Sequence, residues 1–333
     1  MSSLLGSQKH WKMASASRRI VTMLILPVLL SLAAAAPYAN FPSAAITNGK
    51  LTAKLYLPDA RDGYYRGTRF DWSGQIGSLK SEKHEYFGQW FDKYDPKLHD
   101  SIQGPVEEYG ELGYEEAKVG GLFLRVGVGV VKKTENKPYE RFRTYEIVDP
   151  GHWQIKRGKD RIAMIHTVKG AGFAYQYTKS IRLTGQEMII DHELRNTGTK
   201  AMVLTQYNHQ FFVMDGKPTG PETQVTFPFA LKAKRAPLAH LATVTGNNVV
   251  YQRELVKGES AAGLFEGFGS TSADYDIRVG RRDTGAQVRV RGDRPIESIV
   301  FWSIRSTVCP EPYIRVDTAP GKKTRWTYRY TFE

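Results

Sequence analysis

A single cysteine, Cys309, stands in a chain of 333 residues, which excludes an internal disulfide framework and any zinc site built on cysteine pairs. None of the eight histidines falls in a His-x3-His or HExxH arrangement, so no metal-ligand spacing is written in the sequence. There is no Asn-x-Ser/Thr sequon, and with it no sign of N-glycosylation. No apolar run reaches the roughly 20 residues that span a bilayer. No heptad, no repeat of 20 to 50 residues and no linker divides the bulk of the chain. Acids are in deficit, with 34 Asp+Glu against 47 Lys+Arg and a net charge of +13. That excess is scattered along the chain and matches no reader motif, so it suits anionic partners in general and points away from nucleic acid. What is present, 41% hydrophobic and 24% charged residues, suffices for a substantial core.

Lys9, Lys12, Arg18 and Arg19 precede the apolar run 20–30, and Ala33 to Ala36 follow it. A basic region, a short hydrophobic region and a small-residue region read together as a signal peptide over residues 1–36, with cleavage after Ala34 or Ala35. The run is short and Pro27 interrupts it, which favours removal over a permanent anchor. The expectation is an exported bacterial protein, periplasmic or secreted, with no stable membrane span after processing. Residues 37–50 then read as a linker and 51–333 as one domain.

From residue 51 onward, short alternating runs separated by turn residues dominate. Stretches 161–168, 173–183, 187–195, 201–207, 287–291, 298–304 and 325–332 alternate apolar and polar residues, as strands with one buried face do. Only 113–118 and 230–242 hint at helix. The expected fold class is all-β, a large antiparallel β-sandwich. Gly127-Val-Gly129 lacks a third glycine and a following helix, so it reads as a glycine-containing strand and not as a dinucleotide loop.

Three patches carry chemistry. In 64–74, Arg66, Arg69, Asp71 and Trp72 crowd around two glycines, a mixture suited to sugar hydroxyls and apolar sugar faces, or equally to a structural ion pair beside a buried indole. Asn208-His209 sits where a strand runs into the aromatic pair Phe211-Phe212; a histidine held there can serve as a general acid, or simply be structural. In Cys309-Pro310-Glu311-Pro312-Tyr313 the two prolines pin a glutamate in what reads as a rigid loop, the placement that a general base needs.

In this order the patches resemble the galactose mutarotase-like family, the aldose 1-epimerases and their relatives, over about residues 50–333. Asn208-His209-Gln-Phe-Phe is similar to the family's Asn-His-x-Tyr/Phe-Phe motif, which implies that His209 is the catalytic acid. Glu311, before Pro320-Gly321 and the aromatic strand 326–332, resembles the family's catalytic glutamate in position, and Arg69 its substrate-binding arginine, with Arg66 as the alternative equivalent. The resemblance implies a β-sandwich and an acid/base anomerisation that uses no cofactor and no metal. It also implies a monosaccharide or oligosaccharide ligand, neutral or acidic, bound by Arg69, Asn208 and Trp72, with Trp302 as a further stacking face. The sequence departs from true galactose mutarotases after the motif, where Gln-Phe-Phe-Val-Met replaces their usual Thr-Tyr-Phe-Asn-Leu. Their additional histidine and aspartate have only neighbourhood candidates here: His84, His99 and Asp215.

On this reading Glu311 takes the anomeric proton while protonated His209 delivers one to the ring oxygen. A non-catalytic carbohydrate-binding or accessory protein is the alternative. A hydrolase or lyase pairing Glu311 with Glu108 or Asp215 is a third.

Overall fold

The computed structural model describes residues 41–235 and 240–333, so the predicted signal peptide, 1–36, and its anchor alternative lie outside the described residues. Four strands form the first sheet, in the order β1 (Ser43–Thr47), β2 (Thr52–Tyr56), β3 (Gln75–Lys80), β4 (Glu85–Phe87). β5 (Val106–Tyr109) follows, then a second four-stranded sheet of β6 (Glu111–Leu112), β7 (Leu122–Arg125), β8 (Gly129–Lys132) and β9 (Glu146–Asp149). Four successive strands, β10 (His152–Arg157), β11 (Arg161–Gly170), β12 (Phe173–Thr184) and β13 (Glu187–Asn196), pair as an antiparallel meander. After them come β14 (Met202–His209), β15 (Thr223–Thr226), β16 (Lys232–Arg235), β17 (Ala242–Thr245), β18 (Asn248–Tyr251) and β19 (Ser260–Glu266). The chain closes with β20 (Asp276–Arg281), β21 (Gln287–Gly292), β22 (Ser298–Ile304), β23 (Thr307–Thr318) and β24 (Lys323–Phe332).

Two large antiparallel sheets result. One has ten strands in the order β10-β11-β12-β13-β24-β21-β20-β15-β18-β17, the other six in the order β16-β19-β22-β23-β14-β5. They face one another across an apolar core, the sandwich that the alternation predicts. On β11, Ile162, Met164, His166 and Val168 are buried while the residues between them are not, so a period of two selects the core face. The strands expected from alternation are observed with small shifts at their ends. No helix among the described residues is long and apolar enough to cross a membrane.

Three expectations are corrected. Ser43–Thr47, inside the stretch read as a linker, forms β1 and pairs along its length with β2, because its alternation buries Ile46 in the core. Residues 113–118 form a turn, and Lys232–Arg235 within 230–242 form β16 against β19. Gly127 lies in the turn joining β7 to β8 at φ +77, close against Asp71, where only a glycine fits without strain.

The core also holds charge. On β5, Glu107 faces inward, contacting Lys179 of β12 through one carboxylate oxygen and His192 Nε2 of β13 at 3.0 Å through the other. All three side chains are fully buried. Lys179 also donates to Ser73 O at 2.9 Å, and nearby Asp71 accepts from Ser73 Oγ at 2.6 Å and Tyr177 OH at 3.0 Å. Burial pushes Asp71 up to about 7, whereas Lys179 and His192 overcome the effect of burial on Glu107 and hold it below the carboxylate range. Breaking a buried ion pair from one side strands the other charge. Lys179→Met should therefore lower the unfolding free energy by about 3–5 kcal/mol, read from denaturant midpoints at unchanged m-value. A loss below about 1 kcal/mol, the scale of an exposed pair, would show that the cluster does not clamp the sheets.

Candidate functional site

The site lies on the outer face of the six-stranded sheet. Along β14 the outward residues Val203 and Thr205 are exposed, but the next two in register, Tyr207 and His209, are buried. β23 behaves the same way: Arg315 and Asp317 are exposed, while Cys309 and Glu311 are covered and Tyr313 is half-buried. Pairing places Tyr207 opposite both Tyr313 and Glu108 of β5, and Trp302 of β22 opposite Cys309, so all of them share one face. Loops cover the sheet at this point.

The segment expected to be a rigid loop, 309–313, is instead part of β23. Prolines are tolerated there because the ladder to β14 is interrupted. It ends at Tyr207↔Tyr313 and resumes only at the bridge Phe212↔Val308. Val308 exchanges hydrogen bonds with Phe212, and Pro310 and Pro312 share its parity, so their missing N–H groups would have pointed into that gap. Phe211 turns the chain within the gap at φ +44, a strained value for a bulky residue. Its ring thereby stacks on His209 at 3.7 Å and on Trp90 at 4.6 Å, with Trp302 edge-on to His209 at 5.6 Å.

Within this frame His209 Nε2 stands 3.2 Å from Glu311 Oε1. The contact lies outside hydrogen-bond geometry, and neither Glu311 Oε1 nor His209 Nδ1 has a hydrogen-bond partner among the described residues. Buried polar atoms left unpartnered are uncommon and call for a reason. His209 and Glu311 are only 5% and 3% exposed. Burial, reinforced by the charges of Arg69 and Arg141, holds His209 well below the usual histidine range. Burial also pushes Glu311 well above the carboxylate range; Arg69 opposes this and Glu108 adds to it. Burial therefore works against the expected cationic histidine and ionised glutamate and favours the neutral form of each.

Beside the pair, Arg69 Nε donates to Glu108 Oε2 at 2.7 Å and another guanidinium nitrogen to Tyr207 OH at 3.1 Å, while a third meets Asp100 Oδ1 at 2.5 Å. Its guanidinium lies against the rings of Phe70 and Phe142, at 4.4 and 4.8 Å. Glu108 also accepts from Tyr207 OH at 2.6 Å and approaches Arg141 Nε at 3.5 Å. Burial would raise Glu108, but Arg69, then Arg141 and Arg125, draw it below the carboxylate range. The pKa values of two carboxyl groups on one sheet face are thus pushed in opposite directions.

The predicted residues divide. His209, Glu311 and Arg69 come together, although each nitrogen of the Arg69 guanidinium already donates to a protein partner. Asn208 points the other way: it lies between the sheets, donating to Tyr330 OH at 3.1 Å and accepting from Gln206 at 2.7 Å, because one residue along a strand reverses the face. Trp72 is 1% exposed with its indole N–H on Gly67 O, so it packs the interior and leaves no free face for a sugar. Arg66 donates to Arg61 O. His84 and Asp215 meet one another at 3.0 Å beside β4. His99 reaches the site's rim, 2.9 Å from Asp100 and against Phe142. Neither Glu108, engaged by Arg69 and Tyr207, nor Asp215, engaged by His84, is a free second carboxylate for hydrolysis.

Tyr207, Phe211, Tyr313 and Arg141 escape the sequence reading. Tyr207 and Tyr313 were within reach of it, since each lies two residues along a strand from His209 or Glu311. Arg141 arrives from the segment between β8 and β9, donating to Tyr313 OH at 3.2 Å, and nothing in its local sequence announces that position.

Among the described residues His209, Cys309 and Glu311 offer donor atoms within 4.8 Å of one another and form the group that could hold a metal ion. The set suits one poorly. Among the described residues no protein group receives the second nitrogen of His209, the support that metal-bound imidazoles ordinarily have. Cys309 Sγ already accepts Phe211 N–H at 3.2 Å, and burial pushes its thiol well up.

No protein-family model matches the chain. No curated protein matches it. Solved structures do match. A galactose mutarotase-like protein from Clostridium acetobutylicum aligns with a TM-score of 0.54 at 12% identity, covering 89% of this chain and 96% of its own. A galactose mutarotase related enzyme from Lactobacillus acidophilus gives 0.51 at 13%, covering 87% and 97%. An Escherichia coli K12 protein provisionally described as an aldose 1-epimerase gives 0.53 at 12%, covering 87% and 98%. Likeness at this identity speaks to architecture, and it agrees with the two packed antiparallel sheets described above. The chain has the galactose mutarotase-like fold.

Proposed function

We propose that the protein interconverts the anomers of a reducing sugar by acid/base ring opening. The observation that carries this reading is the direct, buried contact between His209 and Glu311 on one sheet face, where burial favours a neutral imidazole beside a carboxyl group that holds one proton. Ring opening needs one group to give a proton and one to take it, and afterwards the same two in exchanged roles. A pair holding one proton meets that requirement in either direction.

In the proposed step the proton starts on Glu311, the arrangement that burial favours. Protonated Glu311 gives its proton to the ring oxygen as the C1–O5 bond breaks. Neutral His209 takes the proton of the anomeric hydroxyl as C1–O1 becomes a carbonyl. Rotation about C1–C2 and reclosure on the other face then return both protons. Arg69 and Arg141 disfavour a cationic His209, and ionised Glu108 favours the proton on Glu311, so the surroundings bias the pair toward these roles. In this reading the sugar's two oxygens replace the direct 3.2 Å contact, and the Arg141–Phe142 segment above Arg69 and Tyr313 moves aside to admit them. The likeness to mutarotase-related structures supports the sugar ligand, and the leader-like sequence at 1–36 supports a reaction outside the cytoplasm as part of the same proposal.

A binding protein has no use for a buried carboxylic acid in contact with an imidazole, and here the two readings part. His209→Asn and Glu311→Gln should each reduce the protein's acceleration of anomeric exchange by about 10²–10⁴-fold, measured by NMR exchange or polarimetry on glucose, galactose and glucuronate. Full activity in either variant sinks the assignment, and no acceleration by the wild type, with binding retained, moves the protein to the non-catalytic class.

The pH dependence has a definite sign. Neutral His209 is required, so activity is lost on acidification through a value well below the usual 6.5 or so. Protonated Glu311 is required, so activity is lost on alkalinisation through a value well above the usual 4.3 or so. The rate profile should be a bell whose acid limb lies below the ordinary histidine range; an acid limb at or above about pH 6.5 would contradict it.

A further inference from the structure

We infer that the groove beside Trp302 binds the sugar units adjoining the reacting one, so that the preferred ligand is an oligosaccharide presented by its reducing end. Naming the reducing end rests on the proposed anomeric chemistry; the groove itself does not. It lies on the same outer face of the six-stranded sheet, one strand further along. Trp302 and Ile304 of β22 and Ser260 of β19 form its floor, and Trp90 and Phe91, from the segment after β4, form one wall. Its volume is about 800 Å³, within the range of small-molecule sites and large for a single pyranose.

Continuity with the catalytic pair is direct. Trp302 stands edge-on to His209 at 5.6 Å and edge-on to Trp90 at 5.7 Å, so one indole forms both the end of the groove and the wall of the buried site. Phe91 packs edge-on to Trp90 at 5.5 Å and is half-buried, leaving part of its ring open. Pyranose rings present C–H faces to aromatic surfaces and hydroxyls to polar rims, and this groove has both. Its rim carries Asp92, Lys257 and Arg305. Lys257 reaches across to Asp92, and Arg305 pairs with Glu254 at 3.0 Å; all four side chains are at least half exposed. Exposed ion pairs of this kind contribute little to stability, so ligand hydroxyls can take over their hydrogen bonds at small cost.

The test uses the full chain with Phe91→Ala, Lys257→Ala and Arg305→Ala, none of which touches His209 or Glu311, each checked for an unchanged thermal midpoint. Reducing tetrasaccharides of β-1,4-glucose, α-1,4-glucose, β-1,4-mannose and β-1,4-N-acetylglucosamine are compared with their monosaccharides, by tryptophan-fluorescence titration and by NMR anomeric exchange. At least one tetrasaccharide should bind about tenfold or more tighter than its monosaccharide. The preference should fall in the variants while the monosaccharide exchange rate is unchanged. Equal affinity for every pair, or a preference that survives all three substitutions, overturns the inference. Exchange without chain-length preference removes the groove and leaves the proposed function standing; preference in binding without exchange does the reverse.

Discussion

Glu107 carries a negative charge into the middle of the sandwich, and its contacts with Lys179 and His192 tie β5 to the ten-stranded sheet. The next residue, Glu108, must then point outward, because successive side chains of a strand alternate. There it meets Arg69 and Tyr207 and sets the charge beside His209 and Glu311. One strand is thus held from both faces by neighbouring acids, one fixing the core and the other organising the site. Lateral pairing carries this constraint into β14 and β23, which bring His209 and Glu311 together. The break in that pairing, marked by Pro310, Pro312 and the left-handed turn at Phe211, gives His209 its aromatic bed.

Fold class was legible because the alternation is strong and long: strands such as β12 and β13 bury every second residue for ten or more positions. What failed were places where local sequence is a weak signal. The 309–313 stretch carries two prolines and reads as a loop, yet the missing ladder partner allows it to be strand. Trp72 and Asn208 sit within patches of the right composition, but composition does not record which way a side chain faces. Asn208 is one residue from His209 and therefore on the wrong side, a distinction that alternation supplies once the strand is fixed. Arg141 depends on a long-range approach, and no pattern in its own segment encodes that.

The electrostatic result reaches furthest. A histidine and a glutamate read from sequence suggest an ion pair, with the histidine as acid. Enclosure by aromatic rings penalises both charged forms, and two arginines facing the imidazole penalise its cation further. The neutral arrangement has the same total number of protons as the ion pair. A rate profile reports only that total, so it cannot distinguish one location of the proton from the other.

The proton's location is therefore the most direct test. Infrared difference spectra of the protein at neutral pH, wild type against Glu311→Gln, report the carbonyl stretch of a protonated carboxyl group. A protonated-carboxyl band present in the wild type and missing from the variant is the predicted result. Its absence, with carboxylate bands lost in the variant instead, would show Glu311 ionised and contradict the account.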